Sequence, residues 1–161
     1  MTPNLRCVVE IDTPVGPMTA IADESALLGL DFGRSQPTTW GNRVTEQTAA
    51  ELAEYFAGER QRFGVPLELL GTPFQRLVWS ALLQIPYGQT RSYRQLAVAI
   101  GAPTAARAVG NANGRNPIAI LTPCHRVVRA GGELGGYGGG VQRKRHLLEI
   151  EAQALGLKLF A

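Results

Sequence analysis

The sequence predicts an α/β chain in two parts. A small N-terminal α/β domain with a three-stranded sheet, a helix and a connecting loop spans residues 1–71, and a mostly helical part containing a helix-turn-helix spans 72–161. Three observations carry this expectation. Short strand-like runs separated by breakers fill the first third of the chain. Two capping-box signatures, at Thr72 and Ser92, open helices beyond it. The charge also changes sign: residues 1–75 hold five Arg against ten Asp/Glu, a balance of −5, and residues 76–161 hold eleven Arg/Lys against three Glu, a balance of +8.

Val8, Val9 and Ile11, then Met18, Ala20 and Ala22, flank the turn-forming stretch Thr13-Pro14-Val15-Gly16-Pro17. Leu27, Leu30 and Phe32 make a third strand, and residues 33–44 are polar and loop-like. Thr45 is placed to cap a helix carrying Ala49, Leu52, Tyr55 and Phe56 on one side, with Gly58 just past its end. Residues 59–71 read as a connection. Thr72-Pro73-Phe74-Gln75 then supplies an N-cap, a proline at the first helical position and a glutamine to complete the capping box. That helix runs through Leu77, Val78, Ala81 and Leu82 and stops at Ile85-Pro86-Tyr87-Gly88. Ser92-Tyr93-Arg94-Gln95 repeats the pattern and opens a short helix to Ile100, Gly101-Ala102-Pro103 breaks it, and a helix restarts over 104–113. Two short helices across a three-residue turn make the helix-turn-helix. Residues 117–128 are apolar and expected to be buried. Seven glycines in 131–140 surround Tyr137, which reads as a tight loop bringing backbone close to a ligand rather than as a linker. Residues 141–154 close the chain as a helix with Leu147, Leu148 and Ile150 facing inward.

With 161 residues, 45% of them hydrophobic and 18% charged, the chain reads as an ordinary globule, which excludes disorder, coiled coil and collagen. No apolar run approaches the ~20 residues of a membrane span. The start MTPNLRCVVE has no apolar core of the signal-peptide kind, so a cytoplasmic protein with reduced cysteines is expected. Cys7, Cys124, His125 and His146 show no metal-ligand spacing, and no metal is expected.

The basic part points to a polyanion. Fourteen of the sixteen cations are Arg, which favours forked contacts to phosphate or base. The second helix of the helix-turn-helix carries four Ala, one Gly and only Arg107 as a long polar side chain. A helix reading the major groove ordinarily carries several such side chains. Small residues instead let a helix lie close against a surface, which suggests non-specific or minor-groove binding with one inserted arginine; a buried helix packing on its neighbours is the equal alternative.

Pro123-Cys124-His125-Arg126-Val127 is the stretch richest in chemistry. A cation or imidazole beside a thiol lowers its pKa and supplies the nucleophilic thiolate. Neighbours on a regular strand point to opposite faces, so Cys124 and His125 work together only across a turn after Pro123 or through a bridging water. Cys7, in a strand without polar company, reads as an inert core residue. A cysteine hydrolase using Cys124, His125 and Glu151 would use the reactive stretch but not the Ala/Arg helix. A plain DNA-binding module would use the helix and leave the reactive stretch idle.

Ile-Pro-Tyr-Gly-Gln-Thr at 85–90, Ser-Tyr at 92–93, Ala-Arg-Ala-Val-Gly at 106–110, Asn-Pro at 116–117 and Pro-Cys-His-Arg-Val at 123–127 resemble the O6-alkylguanine-DNA alkyltransferases. Tyr-Gly-Gly-Gly at 137–140, Lys144, Leu147-Leu148 and Glu151 extend the resemblance in order and spacing; it is dense over 72–151 and broad before that. It implies a C-terminal domain of winged-helix type and direct-reversal DNA repair. A damaged guanine, or O4-alkylthymine, is flipped out of duplex DNA, and its alkyl group passes irreversibly to Cys124, once per chain and without a cofactor. His125 would take the thiol proton through a water, Glu151 would orient His125, and Asn116 would organise the turn. Tyr93 would push on the phosphate backbone and protonate the leaving guanine. Arg107 would fill the gap in the duplex, with Ala106, Gly110, Asn113 and Gly114 beside it on the DNA. Backbone at Cys124 and Val127, with Tyr137, Gly138 and Lys144, would form the pocket. The implied partner is double-stranded DNA, bound without sequence preference by a monomer in the minor groove, with cooperativity left open and no membrane association.

Overall fold

The computed structural model describes residues 5–37 and 40–158, so Thr38 and Thr39 of the expected 33–44 loop and the chain's two ends lie outside the described residues. The architecture is α/β: a three-stranded antiparallel sheet followed by helices. The chain divides into two compact units, one of residues 1–69 with 117–119, the other of residues 70–116 with 120–161.

In the first unit, β1 (Cys7–Thr13), β2 (Gly16–Ala22) and β3 (Leu27–Phe32) pair in that order, with Pro14 and Val15 forming the tip of the first hairpin. Met18, Ala20 and Ala22 alternate on one face of β2 and are fully buried there, as period-two patterning requires. Helix α1 (Arg43–Phe56) begins earlier than expected. Its cap is Asn42, not Thr45: the Thr45 N–H donates to the Asn42 side chain at 3.0 Å, and the Asn42 N–H donates to Thr45 Oγ1 at 2.9 Å. A reciprocal pair satisfies two orphan donors where a lone Thr45 cap would satisfy one. The inward face of α1 is also more polar than expected, with Thr48 and Glu51 buried beside Leu52 and Tyr55 while Ala49 and Phe56 are half-buried. Gly58 sits at φ 76° and ends the helix. Its N–H donates to Tyr55 O and that of Glu59 to Glu54 O, the paired pattern that needs a left-handed residue there. Residues 117–119 belong to this unit through backbone bonds to β3: Leu30 N–H donates to Pro117 O and Ala119 N–H to Leu30 O, both at 2.9 Å.

The second unit holds α2 (Pro73–Leu82), α3 (Tyr93–Ala99), α4 (Ala106–Gly114) and α5 (Val141–Ala154). Thr72 and Ser92 cap α2 and α3 with complete capping boxes. Helix α4 starts at Ala106 rather than Thr104 and has no side-chain cap, so the link between the two helices is residues 100–105, longer than the Gly101–Pro103 break alone. Trp79 anchors the unit: its ring is buried, and its indole N–H donates to Ala112 O at 2.8 Å. A buried indole needs such a partner, and burial of a large apolar side chain stabilises by roughly 1.5–3 kcal/mol. A two-stranded parallel pair, β4 (Arg91–Ser92) with β5 (Val127–Val128), has no counterpart in the sequence expectations. In α5, Leu147 and Leu148 face inward as expected, Ile150 is half-buried, and Lys144 and Glu151 are fully buried. Among the described residues, no helix is long and apolar enough to cross a membrane.

Candidate active site

Residues 121–128 are buried without a break. Residues 119–122 form turns rather than a strand, and after Pro123, Cys124–Arg126 forms one turn of 3₁₀ helix, closed by Arg126 N–H donating to Pro123 O at 3.0 Å. This is the turn that lets consecutive residues act together. Asn116 fixes its entry by donating from Nδ2 to Thr122 O at 2.7 Å, while Cys124 N–H donates to the same carbonyl at 2.8 Å. Just upstream, buried Ile120 holds φ 71°, a left-handed conformation that a β-branched residue adopts only when its surroundings impose it. The β4–β5 pair joins the residues after the turn to the N-terminus of α3, which begins at Tyr93.

Glu151 is the hub. His125 Nε2 lies 2.6 Å from Glu151 Oε2. Arg126 Nε donates to Oε1 at 2.9 Å, its Nη2 to Oε2 at 3.2 Å, and Gly88 N–H to Oε1 at 3.0 Å. A third guanidinium donor, Nη1, reaches Ile85 O at 2.8 Å, and the guanidinium carbon lies 5.6 Å from the centre of the Tyr87 ring. Gly88 can approach this closely because it has no side chain: a Cβ there would stand 2.2 Å from Leu155 Cδ1, and its φ is 78°.

The electrostatics follow from burial and pairing. Burial alone would push Glu151 up, but the charge and hydrogen bonds of His125 and Arg126 outweigh it and hold the carboxyl well below the usual carboxylate range. Burial pushes His125 down, as do the Arg126 and Lys144 charges, against the pull of Glu151. His125 is therefore a neutral imidazole. Its Nε2–H donates to Glu151, which leaves Nδ1 as the proton-accepting nitrogen; that atom is buried and has no partner among the described residues. Burial raises the Cys124 thiol, with the side chain of Asn116, the Lys144 charge and the side chain of Tyr137 opposing. This corrects the expectation that neighbouring cationic groups lower it. The resting group is a thiol that must hand its proton to a base. Burial also raises Tyr93, which stays protonated.

His125 titrates below its unfolded value of ~6.5, so the unfolded chain takes up this proton first as pH falls. The melting temperature should begin to drop near pH ~6.5, before loss of the imidazole base appears as an acid limb in the reaction rate. Rates and melting curves recorded together between pH ~4 and ~8 check this; an acid limb at or above the ordinary histidine range contradicts it.

The structure brings Cys124, His125, Asn116, Tyr137, Lys144, Val127 and Glu151 into one network, and Tyr93 lies beside it. Val127 contributes its carbonyl, which accepts from Lys144 Nζ at 2.6 Å, and Gly138 is exposed on the loop. On α4, Arg107, Ala108, Asn111 and Gly114 are exposed, with Arg115 just beyond the helix, whereas Ala106 and Gly110 are half-buried. Asn113 faces inward and is buried, so its place is in packing rather than on a binding surface. Gly88, Ile85 and Tyr87 were not among the expected site residues, and Arg126 was expected only as a cation beside the thiol, not as a partner of Glu151. The only local signal for Arg126 was its place after His125.

Two family models cover most of the chain. The 6-O-methylguanine DNA methyltransferase ribonuclease-like domain matches residues 10–69, and the DNA-binding domain of the same name matches 73–153. A methylated-DNA–protein-cysteine methyltransferase of Mycobacterium tuberculosis is 53% identical over 147 residues, covering 88% of this chain and 89% of the relative. The constitutive protein of that name from Bacillus subtilis is 42% identical over 151 residues, covering 87% and 92%. Among solved structures, Mycobacterium tuberculosis OGT in complex with DNA superposes with a TM-score of 0.82 at 52% identity, covering 90% of this chain and 92% of that one.

Proposed function

The chain belongs to the 6-O-methylguanine DNA methyltransferase family, and on that premise we propose that it repairs O6-alkylguanine in duplex DNA by moving the alkyl group onto Cys124. The observation that supports the assignment to Cys124 is its place on one buried 3₁₀ turn with neutral His125, whose Nε2 is bound to ionised Glu151 and whose Nδ1 is left to accept a proton.

In this reading the Cys124 proton passes through a water to His125 Nδ1, and Glu151 stabilises the resulting imidazolium. Sγ attacks the alkyl carbon as the carbon–O6 bond breaks. The electron pair stays with guanine, and Tyr93, held protonated by burial, supplies a proton to the ring nitrogen. The product is a thioether. Its carbon–sulfur bond has no good leaving group, so each chain acts once and needs no cofactor. O4-alkylthymine presents the same carbon–oxygen bond. Val127 and Cys124 backbone, Tyr137 and Gly138 form the pocket for the base.

Helix α4 fits the DNA side of the proposal. Its outward face is small apart from Arg107 and the adjoining Arg115, and the minor groove is only ~6 Å wide. The chain binds there as a monomer without sequence preference, Arg107 filling the space of the extruded base and Ala106, Gly110 and Gly114 lying along the backbone.

Incubation with duplex carrying labelled O6-methylguanine tests the reading: one label per chain, on the Cys124 peptide, is expected. Repeated turnover, or label elsewhere, contradicts it. Arg107→Ala should slow repair of duplex by ~10-fold or more, the cost of a destabilised extrahelical base. Its reaction with free O6-benzylguanine, which needs no flipping, should change little. Equal losses on both substrates would remove the insertion role.

A further inference from the structure

Lys144 is fully buried in the first turn of α5. A cation is doubly disfavoured there, by lost hydration and by the positive end of the helix dipole, and no acidic residue stands in that turn to offset it. Three backbone carbonyls do. Lys144 Nζ donates to Val127 O at 2.6 Å, to Gly136 O at 3.2 Å and to Leu134 O. An ammonium has three protons, and all three are committed. None remains for a substrate.

The acceptors lie at the two ends of one excursion of the chain. Val127 is in β5, next to the reactive turn, whereas Leu134 and Gly136 stand where the glycine-rich segment returns. Between them the segment has bonds of its own, Arg129 N–H to Glu133 O and Gly132 N–H to Arg129 O, both at 2.9 Å. The Lys144 hydrogen bonds tie its two ends together. The residue after Gly136 is Tyr137, whose side chain acts on Cys124 and draws its thiol down against the effect of burial.

We propose that Lys144 is a positioning residue: its ammonium clasps the chain between Val127 and Gly136 and so holds Tyr137 against the Cys124 thiol. This rests on Cys124 being the acceptor of the alkyl group.

A clasp made by an ammonium opens when the ammonium loses a proton, since an amine donates only two hydrogen bonds. The charged and titratable groups facing Lys144 are Cys124 and His125 on the 3₁₀ turn and Arg129 beyond β5. Burial, aided by Arg129 and opposed by Cys124, brings Lys144 down to about 8. The folded chain sheds this proton more readily than the unfolded one, so the Lys144 contribution to folding stability rises above pH ~8. The alkaline effect is therefore local to the loop.

The test follows transfer from O6-benzylguanine to the full chain between pH ~7 and ~9.5, with melting temperature and amide exchange over 134–138 recorded beside it. The rate should fall ~10-fold through a limb near pH ~8 while the protection of amides 134–138, taken relative to the ordinary base-catalysed exchange rate at each pH, falls and the melting temperature does not. Ionisation of the thiol alone would raise the rate with pH. Lys144→Met keeps the side-chain length without the charge; it should be ~10–100-fold slower at neutral pH, as a misplaced reacting group is, and should lack the alkaline limb. A rate that rises with pH while amide protection over 134–138 stays constant overturns the clasp, as does a Lys144→Met protein with the unaltered rate and limb. If Lys144→Met does not fold, the exchange profile of the unaltered chain decides by itself. Label missing from Cys124 in the unaltered chain would overturn the acceptor assignment instead, a result the exchange profile does not depend on.

Discussion

Cys124→Ser should end alkyl transfer while leaving affinity for duplex DNA within about twofold, since the substitution is buried in the 3₁₀ turn and the exposed face of α4 is untouched. The serine hydroxyl fits the space, but it is far less acidic than a thiol, and neutral His125 cannot deprotonate it usefully. Loss of a nucleophile elsewhere costs ~10⁶-fold, so the rate should drop below detection. The comparison is single-turnover transfer from labelled duplex beside a binding titration. Transfer at the normal rate would place the acceptor elsewhere. Cys7→Ser provides the contrast. Cys7 is buried in β1, so a hydroxyl there should lower stability by ~1–3 kcal/mol. Transfer by the folded fraction should be unchanged.

Glu151→Gln should cause the second large loss, on two measurements at once. Four donors from three residues converge on this carboxylate: His125 Nε2, two Arg126 nitrogens and the Gly88 amide. An amide of the same shape retains part of the hydrogen bonding but none of the charge. It leaves the Arg126 guanidinium buried without its counter-ion, a defect that costs ~3–5 kcal/mol. It also removes the group that stabilises the imidazolium, so transfer should slow by ~10²–10⁴-fold. Adding Arg126→Met removes the stranded cation, so the double variant should recover much of the lost melting temperature and none of the lost rate. Recovery of both together would mean that Glu151 serves the fold alone, and a Glu151→Gln protein with the normal rate would take it out of the chemistry altogether.

The parts legible in the sequence were those made by neighbours along the chain. The Thr72 and Ser92 capping boxes bind residues three apart, and a helix signal of that range is written in consecutive letters. The β1–β2 hairpin needed only alternation and a turn between the strands. Thr45 was misread because it belongs to a capping box as its third helical residue, and Asn42, the cap itself, stood inside a polar stretch with several candidate caps. The β4–β5 pair was invisible because two residues show no periodicity and their partner lies far along the chain.

The same division runs through the site. From its sequence alone the chain could be assigned a reactive cysteine behind Pro123, a histidine beside it, an arginine on a helix of small residues, and a likeness to a repair family that supplied Glu151. How those groups are charged follows from contacts made by the fold. Gly88 and Glu151 are 63 residues apart, and no local pattern announces that they meet. Arg126 looked like a group that would sharpen the cysteine, yet its guanidinium turns to Glu151 and Ile85, and burial leaves Cys124 a thiol. Lys144 looked like a pocket side chain and spends its protons on backbone. The physical reason is common to all three. Residue types and short spacings set local conformation and the chemistry available, whereas a pKa is set by desolvation and by whichever charges the fold brings within a few ångströms.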